Sequence, residues 1–291
     1  MRVTVIGATG QLGTDVCREF RNSGYEVDAL AHSEIHIESA DSVTQTLAAS
    51  RPDVVVNTAA FHHVDVCEQD PATAFAINTI GPRNLAKSCS EIGAILFHIS
   101  TDYVFDGAKC LPYVESDLAL PLNVYGNSKL AGENFVRTLA PRHYILRTSG
   151  LYGTSPCRGK NGRNFVQLML TLAREKGAVK VVRDEQVTPT FTEDLARQIV
   201  SLVPSEAYGL YHASAEGSCS WYDFAAEIFR ITDTKVELKA ANSSDFPAKT
   251  PRPRYSVLEN QALKARGLNQ MRHWLVGLDS YLSGATVTRS A

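Results

Sequence analysis

The first half of the chain alternates short apolar runs with stretches in which apolar residues recur every three or four positions. Short apolar runs predict buried strands, and the longer spacing predicts helices with one buried face. Strands are expected at 2–6, 26–30, 53–60, 93–100 and 143–148, with helices in the 12–20, 41–49, 71–92 and 125–133 stretches between them. This alternation is typical of an α/β fold with a doubly wound parallel sheet.

Beyond residue 150 the pattern is looser. Helices are expected at 164–176, from 192 and at 220–231, strands at 178–182 and 209–212, and a loop at 154–163. We therefore predict two units, a sheet domain at 1–150 and a smaller, mostly helical lobe at 151–291. The segment 188–203 is expected to pack back on the sheet domain.

Composition narrows the class of protein. With 291 residues, 44% hydrophobic residues and a net charge of -2, the chain resembles an ordinary globular protein and offers no field for nucleic acid or an anionic membrane. No apolar run reaches the ~20 residues that span a bilayer. The six cysteines form no Cys-x-x-Cys pair, and the N-terminus enters a strand at once, so we expect reduced thiols, no signal peptide and a cytoplasmic location.

A glycine-rich turn, Gly7-Ala-Thr-Gly10-Gln-Leu-Gly13, joins the first predicted strand to the first predicted helix. Glycines in this context permit a tight turn and close backbone approach, and the helix N-terminus offers free N–H groups to a pyrophosphate. A flexible turn without a ligand is the alternative. The motif indicates that residues 1–150 form a Rossmann-type NADP(H)-binding domain, with Gly7, Gly10, Gln11, Leu12 and Gly13 at the dinucleotide.

The end of the second strand bears on which dinucleotide binds. Many NAD-specific Rossmann proteins place an acid there for the adenine ribose hydroxyls. This chain has Ala31 and His32, so no carboxylate would repel a 2′-phosphate. The pattern favours NADPH, with NADH as the alternative.

Tyr125 and Lys129 lie four residues apart and would share one helical face. An ammonium near a phenol favours the phenolate, which suits an enzyme that donates a proton to an oxygen after hydride transfer. On its own such a pair is usually an exposed surface feature. Thr101, Asp102 and Tyr103 follow the fourth strand, at the edge of the sheet where substrates bind.

The loop after the third strand contains His62, His63, Cys67 and Glu68. These residue types ligate zinc, but no second ligand cluster supports a metal. Loops at strand ends of open α/β sheets ordinarily bind organic ligands. We predict no metal site.

The motifs occur in the order found in dTDP-4-dehydrorhamnose reductases, which are atypical extended short-chain dehydrogenases, and the chain resembles that family over essentially its whole length. The blocks that carry the resemblance are Gly7 to Gly13, Ser100-Thr-Asp-Tyr-Val-Phe-Asp106, Pro121-Leu-Asn-Val-Tyr125-Gly-x-x-Lys129, Leu146-Arg-Thr-Ser149, Pro189-Thr190, Ser220-Trp-Tyr-Asp-Phe224 and Arg252-Pro253.

The resemblance implies reduction of the 4-keto group of a nucleotide-linked 6-deoxyhexulose. Tyr125 would be the general acid, Lys129 would lower its pKa and hold the nicotinamide ribose, and Thr101 would polarise the carbonyl. The cofactor would also contact His32, His36, Ile37, Ala59, Ala60 and Asn78. The substrate would contact Thr101, Asp102, Tyr103, Asn164 and Arg252, and a homodimer is a further implication.

Three positions depart from the family pattern. Gly150 replaces a Trp, Val66 replaces a Lys and Tyr255 replaces an Asn. We expect all three on the substrate side, so they bear on the sugar and not on the reaction type.

Two rival functions stay open. A nucleotide-sugar 4,6-dehydratase would have a Glu directly after Asp102, where this chain has Tyr103, whereas an epimerase is not excluded. A non-catalytic regulatory subunit, like the beta subunit of methionine adenosyltransferase, shares several of the same motifs. Thr101 favours an enzyme.

Overall fold

A six-stranded parallel sheet is the centre of the computed structural model, which describes residues 1–156, 162–246 and 250–287. Its strands are β1 (Arg2–Ile6), β2 (Glu26–Leu30), β3 (Val54–Asn57), β4 (Ile95–Thr101), β5 (His143–Thr148) and β10 (Gly209–His212). The spatial order is β10-β5-β4-β3-β1-β2, and every neighbouring pair is parallel. The predicted Rossmann-type sheet is confirmed.

Helices cover both faces of this sheet. They are α1 (Gln11–Asn22), α2 (Ala40–Ser50), α3 (Val64–Gln69), α4 (Pro71–Phe75), α5 (Gly81–Ile92), α6 (Val124–Leu139) and α8 (Thr192–Leu202). One apolar layer joins the sheet to α1 and α8, and the other joins it to α2, α5 and α6. Strands buried on both faces need the near-continuous apolar runs seen in the sequence.

The predicted helix at 71–92 is interrupted. A π-turn at Ala76–Ile80 separates α4 from α5. Pro82 has no N–H to donate to the carbonyl of Asn78, so the regular helical ladder is broken at this point. The predicted third strand is also shorter than expected, because the side chain of Asn57 accepts from Ala59 N at 3.1 Å and turns the chain there.

The second half of the chain contributes to both units. Strand β10 pairs with β5 in the main sheet, and α8 packs on α1, where Thr192 Oγ1 donates to Asp15 Oδ2 at 2.5 Å. The sheet therefore draws on residues far beyond 150. The domain boundary at 150 stays a prediction.

Most of the remaining elements form a separate apolar cluster beside the sheet. They are β6 (Leu151–Tyr152), α7 (Phe165–Lys176), β7 (Ala178–Val182), β9 (Thr190–Phe191), β11 (Cys219–Ser220), α9 (Trp221–Ile231), β12 (Glu237–Ala241) and α11 (Trp274–Val287). Strand β8 (Gln186–Val187) pairs with β11, and α10 (Gln261–Ala265) packs on β10 in the apolar layer of α1 and α8. Strand pairs β6 with β9, β8 with β11 and β7 with β12 join distant segments. Part of the predicted loop at 154–163 lies outside the described residues.

In the described part of the chain, no helix has the length and apolar character that crossing a membrane requires.

Candidate active site

A cavity of about 520 Å³ opens at the carboxyl ends of the parallel strands. It runs from the glycine turn after β1, past the ends of β3 and β4, to Tyr125 and Lys129 on α6. The chain reverses direction across the sheet between β1 and β3. Open α/β sheets bind their ligands in the crevice at such a switch point.

The glycine turn is shaped for close approach to a phosphate. Gly7 adopts φ +77°, and a Cβ on Gly13 would lie 2.2 Å from the Gly7 carbonyl oxygen. No side chain caps the first turn of α1, whose N-cap residue is Gly10. The N–H groups at this helix end are therefore left for an anion. These residues fit a dinucleotide, whose pyrophosphate they would hold.

One end of the cavity extends along the strand ends away from α6. His32, Ile37, Ala59 and Ala60 line it. Asn84 holds this wall by donating to the Ile37 carbonyl oxygen at 3.0 Å. In a Rossmann-type site this end receives the adenosine half of a dinucleotide.

Thr101 and Tyr125 meet at the other end of the cavity. The Thr101 hydroxyl donates to Asp102 Oδ1 at 3.0 Å, accepts from Tyr103 N at 3.1 Å and is hydrogen-bonded with the Tyr125 phenol. The Tyr103 ring lies edge-on to the Tyr125 ring, with 5.7 Å between centroids. A hydroxyl and a phenol converge here, as required around the oxygen of a bound carbonyl.

Lys129 is almost fully buried beneath this pair. Its Nζ donates to the Ile99 carbonyl oxygen at 2.6 Å and lies 3.5 Å from His98 Nε2. Burial lowers the pKa of Lys129 to about 8, whereas the Glu133 carboxylate raises it. The site therefore holds an ammonium group whose charge is lost in mildly alkaline solution.

The pKa of Tyr125 differs from the sequence-based expectation. Burial raises the pKa of this phenol, the hydrogen bond with Thr101 acts in the opposite direction, and the Asp102 carboxylate raises it further. Lys129 was expected to lower it, but its ammonium is turned toward Ile99. A raised pKa favours the protonated phenol, which is the form that a general acid needs.

Side-chain contacts fix helix α6 against the sheet. The Asn123 side chain caps the helix by accepting from Gly126 N at 2.8 Å, and a Cβ on Gly126 would lie 2.2 Å from the Tyr103 carbonyl oxygen. Two turns on, Glu133 forms a buried ion pair with Arg147 at 2.7 Å and accepts a hydrogen bond from Ser100. Both ends of the helix segment that carries Lys129 are thereby held.

Asp102 is buried next to Thr101. It accepts from Ser149 Oγ at 2.9 Å and from Ser256, and burial raises the pKa of its carboxyl. These two hydrogen bonds join the end of β4 to Ser149, just after β5, and to Ser256. Asp102 orients Thr101 through the hydrogen bond already described.

Most of the predicted site residues line this one cavity. They are Gly7, Gly10, Gln11, Leu12, Gly13, His32, Ile37, Ala59, Ala60, Thr101, Asp102, Tyr103, Tyr125, Lys129 and Arg252. Their roles at a cofactor or substrate stay predictions.

Three predicted contact residues are placed away from the cavity lining. The Asn164 side chain caps α7 and donates to the Gly153 carbonyl oxygen at 2.8 Å, so it is already engaged. Asn78 is likewise buried, and its amide bonds the backbone of Phe61 and the hydroxyl of Ser128. His36 lies on an exposed turn with its ring against His32.

The three positions that depart from the family pattern do not all lie at the cavity. Gly150 lines the cavity and adopts φ +57°, a conformation that disfavours a bulky side chain. Val66 and Tyr255 are not among the lining residues.

Several lining residues were not singled out from the sequence as ligand contacts. They include Glu185, Val187, Trp221 and Ser256. Pro253 also lines the cavity. Trp221 and Pro253 lie inside motifs that carry the family resemblance, and this was the one sequence feature that pointed to them. The cavity wall they form comes from short segments with no periodic pattern.

No group of histidine, cysteine and carboxylate side chains suited to a metal is found in residues 1–156, 162–246 and 250–287. His63 instead begins α3 by accepting from Val66 N, and Cys67 donates to the Phe61 carbonyl oxygen at 3.3 Å. Both side chains serve the local turn.

A doubly wound parallel sheet, a glycine turn at its switch point and a Thr, Tyr and Lys set at the strand ends define a protein of the extended short-chain dehydrogenase type. The chain belongs to the family described as RmlD substrate binding domain, whose model matches residues 1–287. The predicted resemblance is thereby confirmed.

Named relatives agree with this family. The chain is 41% identical to a spore coat polysaccharide biosynthesis protein of Bacillus subtilis, with 97% of this chain and 96% of the relative covered. A dTDP-4-dehydrorhamnose reductase from Clostridium acetobutylicum is 39% identical, with TM-score 0.94 over 98% of this chain and 100% of that one. The Bacillus anthracis reductase solved with NADP is 37% identical, with TM-score 0.93 over 97% and 99% of the two chains.

Proposed function

We propose that this protein is an NADPH-dependent reductase of the 4-keto group of a dTDP-linked 4-dehydro-6-deoxyhexose. The observation that carries the proposal is one cavity that joins a dinucleotide turn at Gly7 to a carbonyl-activating pair, Thr101 and Tyr125, above Lys129. The names of the similar proteins supply the nucleotide and the sugar class.

NADPH, when bound, supplies the hydride that reduces the carbonyl carbon. The protein must then stabilise the negative charge that develops on the carbonyl oxygen. Tyr125 donates a hydrogen bond to that oxygen and gives it a proton. Thr101 can act as a second donor when its one hydroxyl hydrogen turns from Asp102 to the oxygen. The raised pKa of Tyr125 keeps the phenol protonated until the alkoxide forms.

Lys129 balances the charge that Tyr125 acquires when it gives up its proton. Its ammonium is fixed by Ile99 O and lies four residues along the same helix. One of its N–H groups is committed to that carbonyl, and others can reach the cavity, which Lys129 lines. We propose that these hold the nicotinamide ribose.

The choice of NADPH is supported by the residue type at the end of β2. Ala31 and His32 stand where many NAD-specific proteins have an acid for the adenine ribose, and His32 lines the cavity. Two carboxylates lie nearby, since Glu34 accepts from Ala31 N at 2.7 Å and Glu38 lines the cavity. The relative solved with NADP points to the same cofactor.

Two finer expectations, a cytoplasmic location and a homodimer, belong to the same proposal. The enzyme would work in the cytoplasm, in keeping with the free thiols of Cys17, Cys67, Cys89, Cys110 and Cys219. The homodimer stays a prediction, which size-exclusion chromatography with light scattering tests.

The decisive experiment is a panel of nucleotide-linked keto sugars, followed by the loss of NADPH absorbance. We expect turnover with dTDP-4-dehydrorhamnose and slower turnover with a UDP-linked analogue. Product analysis that shows inversion of a hydroxyl without net reduction would indicate the epimerase. Tight NADPH binding with no turnover across the panel would indicate the regulatory subunit.

A further inference from the structure

Glu185 lies where three distant segments of the chain come together. Gln186 of β8 pairs with Ser220 of β11 on one side and bridges to Tyr255 on the other. This register puts Glu185 beside Trp221, whose side chain hydrogen-bonds to its carboxylate, and near Arg254. The position of the carboxylate is therefore set by backbone pairing on both sides.

The charges around Glu185 form a compact group on the cavity wall. Burial raises the pKa of Glu185, and Arg252, which pairs with Asp65 at 3.2 Å, acts on it in the opposite direction. Arg254 and Asp184 act on the same carboxyl in opposite directions. Glu185, Trp221 and Arg252 all line the cavity.

This group lies next to the reacting end of the cavity. The phenol of Tyr103 experiences the charges of Arg252, Glu185 and Asp65, and its ring contacts that of Tyr125. Glu185 thus acts electrostatically on a side chain whose ring contacts the general acid. A hexose whose carbonyl reaches Tyr125 would present its remaining hydroxyls at this depth.

We propose that Glu185 is a specificity-determining residue that accepts hydrogen bonds from hydroxyls of the hexose, with Trp221 beside it against the ring. A carboxylate repels a diphosphate, so Glu185 is unsuited to bind that part of a nucleotide sugar. It can instead accept hydrogen bonds from neutral donors, and hydroxyls are the donors that a sugar offers. Arg252 would hold the diphosphate, for which a guanidinium is suited.

The inference rests on the proposed function, and calorimetry tests it without turnover. The probes are dTDP, which has no sugar, and dTDP-glucose, each titrated into the NADP-loaded enzyme. Glu185→Gln should weaken dTDP-glucose by about 10- to 100-fold, because charge-assisted hydrogen bonds are lost, and leave dTDP within about twofold.

Two variants separate the alternatives. Arg252→Ala should weaken both probes, since both contain the diphosphate, and Glu175→Gln, the same change on the exposed end of α7, should alter neither. Equal weakening of both probes by Glu185→Gln, or no effect on either, would overturn the assignment. A wild-type enzyme that binds dTDP-glucose better than dTDP but reduces no keto sugar would contradict the proposed function and leave Glu185 assigned.

Discussion

The cofactor end and the substrate end of the cavity are built in different ways. The cofactor end comes from one continuous strand, turn and helix, β1 to α1, and its shape depends on backbone and on small residues such as Gly13. The substrate end joins short segments around Glu185, Trp221 and Arg252 that lie far apart in the chain. A local motif tolerates little change, whereas a wall of separate segments can vary its side chains without disturbing the sheet.

The largest expected effect concerns the group that links the two ends. Tyr125→Phe should lower kcat by ~10²–10⁴-fold, because the alkoxide loses its positioned acid. NADPH affinity should change little, since the phenol oxygen is directed to Thr101. Stopped-flow kinetics and fluorescence titration measure the two quantities. A variant with wild-type turnover would remove Tyr125 from the mechanism.

The cofactor end should be the less tolerant of the two. Gly13→Ala puts a Cβ 2.2 Å from the Gly7 carbonyl oxygen, so the turn must shift. We expect a loss of about 1–3 kcal/mol in the free energy of unfolding and weaker NADPH binding. Thermal unfolding with and without NADPH measures both.

Gly284→Ala is the matched control, because a Cβ there would meet no heavy atom of the described residues outside its own helix within 4 Å. It should leave NADPH affinity unchanged and should not lower the unfolding temperature, because alanine favours a helix over glycine. If Gly13→Ala behaved like this control, the close approach at the turn would not govern cofactor binding.

The titration of Lys129 predicts a decline in the rate of reduction at alkaline pH, called here the alkaline limb. The pKa of Lys129 is about 8, lowered mainly by burial, so its ammonium is present below that pH and lost above it. The rate of reduction should therefore fall as pH rises through about 8, by up to tenfold per pH unit. Lys129→Met should be slow at every pH and show no such limb. If the rate of the wild-type enzyme fell only near the ordinary pKa of lysine, the buried position of Lys129 would be contradicted.

The smallest effect concerns Asn164, a substrate contact predicted from the sequence that does not line the cavity. Asn164→Ala should cost about 1 kcal/mol of stability, because α7 loses its cap. KM for the keto sugar should stay at the wild-type value. Ser39→Ala removes the corresponding cap of α2 and provides the comparison for unfolding temperature. A raised KM in Asn164→Ala alone would restore a substrate role.

The sequence was informative wherever structure is local. Gly7 to Gly13, Thr101 after β4 and the Tyr125–Lys129 helix could all be predicted, because strand, turn and helix signals lie next to each other in the chain. The cavity placed these residues together as expected.

Long-range pairing could not be predicted. Nothing in Gly209–His212 indicates that it joins β5, and nothing near Glu185 indicates that β8 lies between β11 and Tyr255. Two-residue strands have no periodicity to detect. The sequence could not show that Asn78 and Asn164 lie outside the cavity lining, because an asparagine at a turn or cap looks the same in sequence as one that binds a ligand.

The pairing of β10 with β5 has a consequence for how the protein is made. During synthesis, β5 emerges well before its outer neighbour and exposes a row of unpaired N–H and C=O groups until residue 212 is available. Such an edge is a template for pairing with another chain. A fragment ending at residue 150 would keep that edge permanently, so the nucleotide-binding half is not a natural unit for expression by itself.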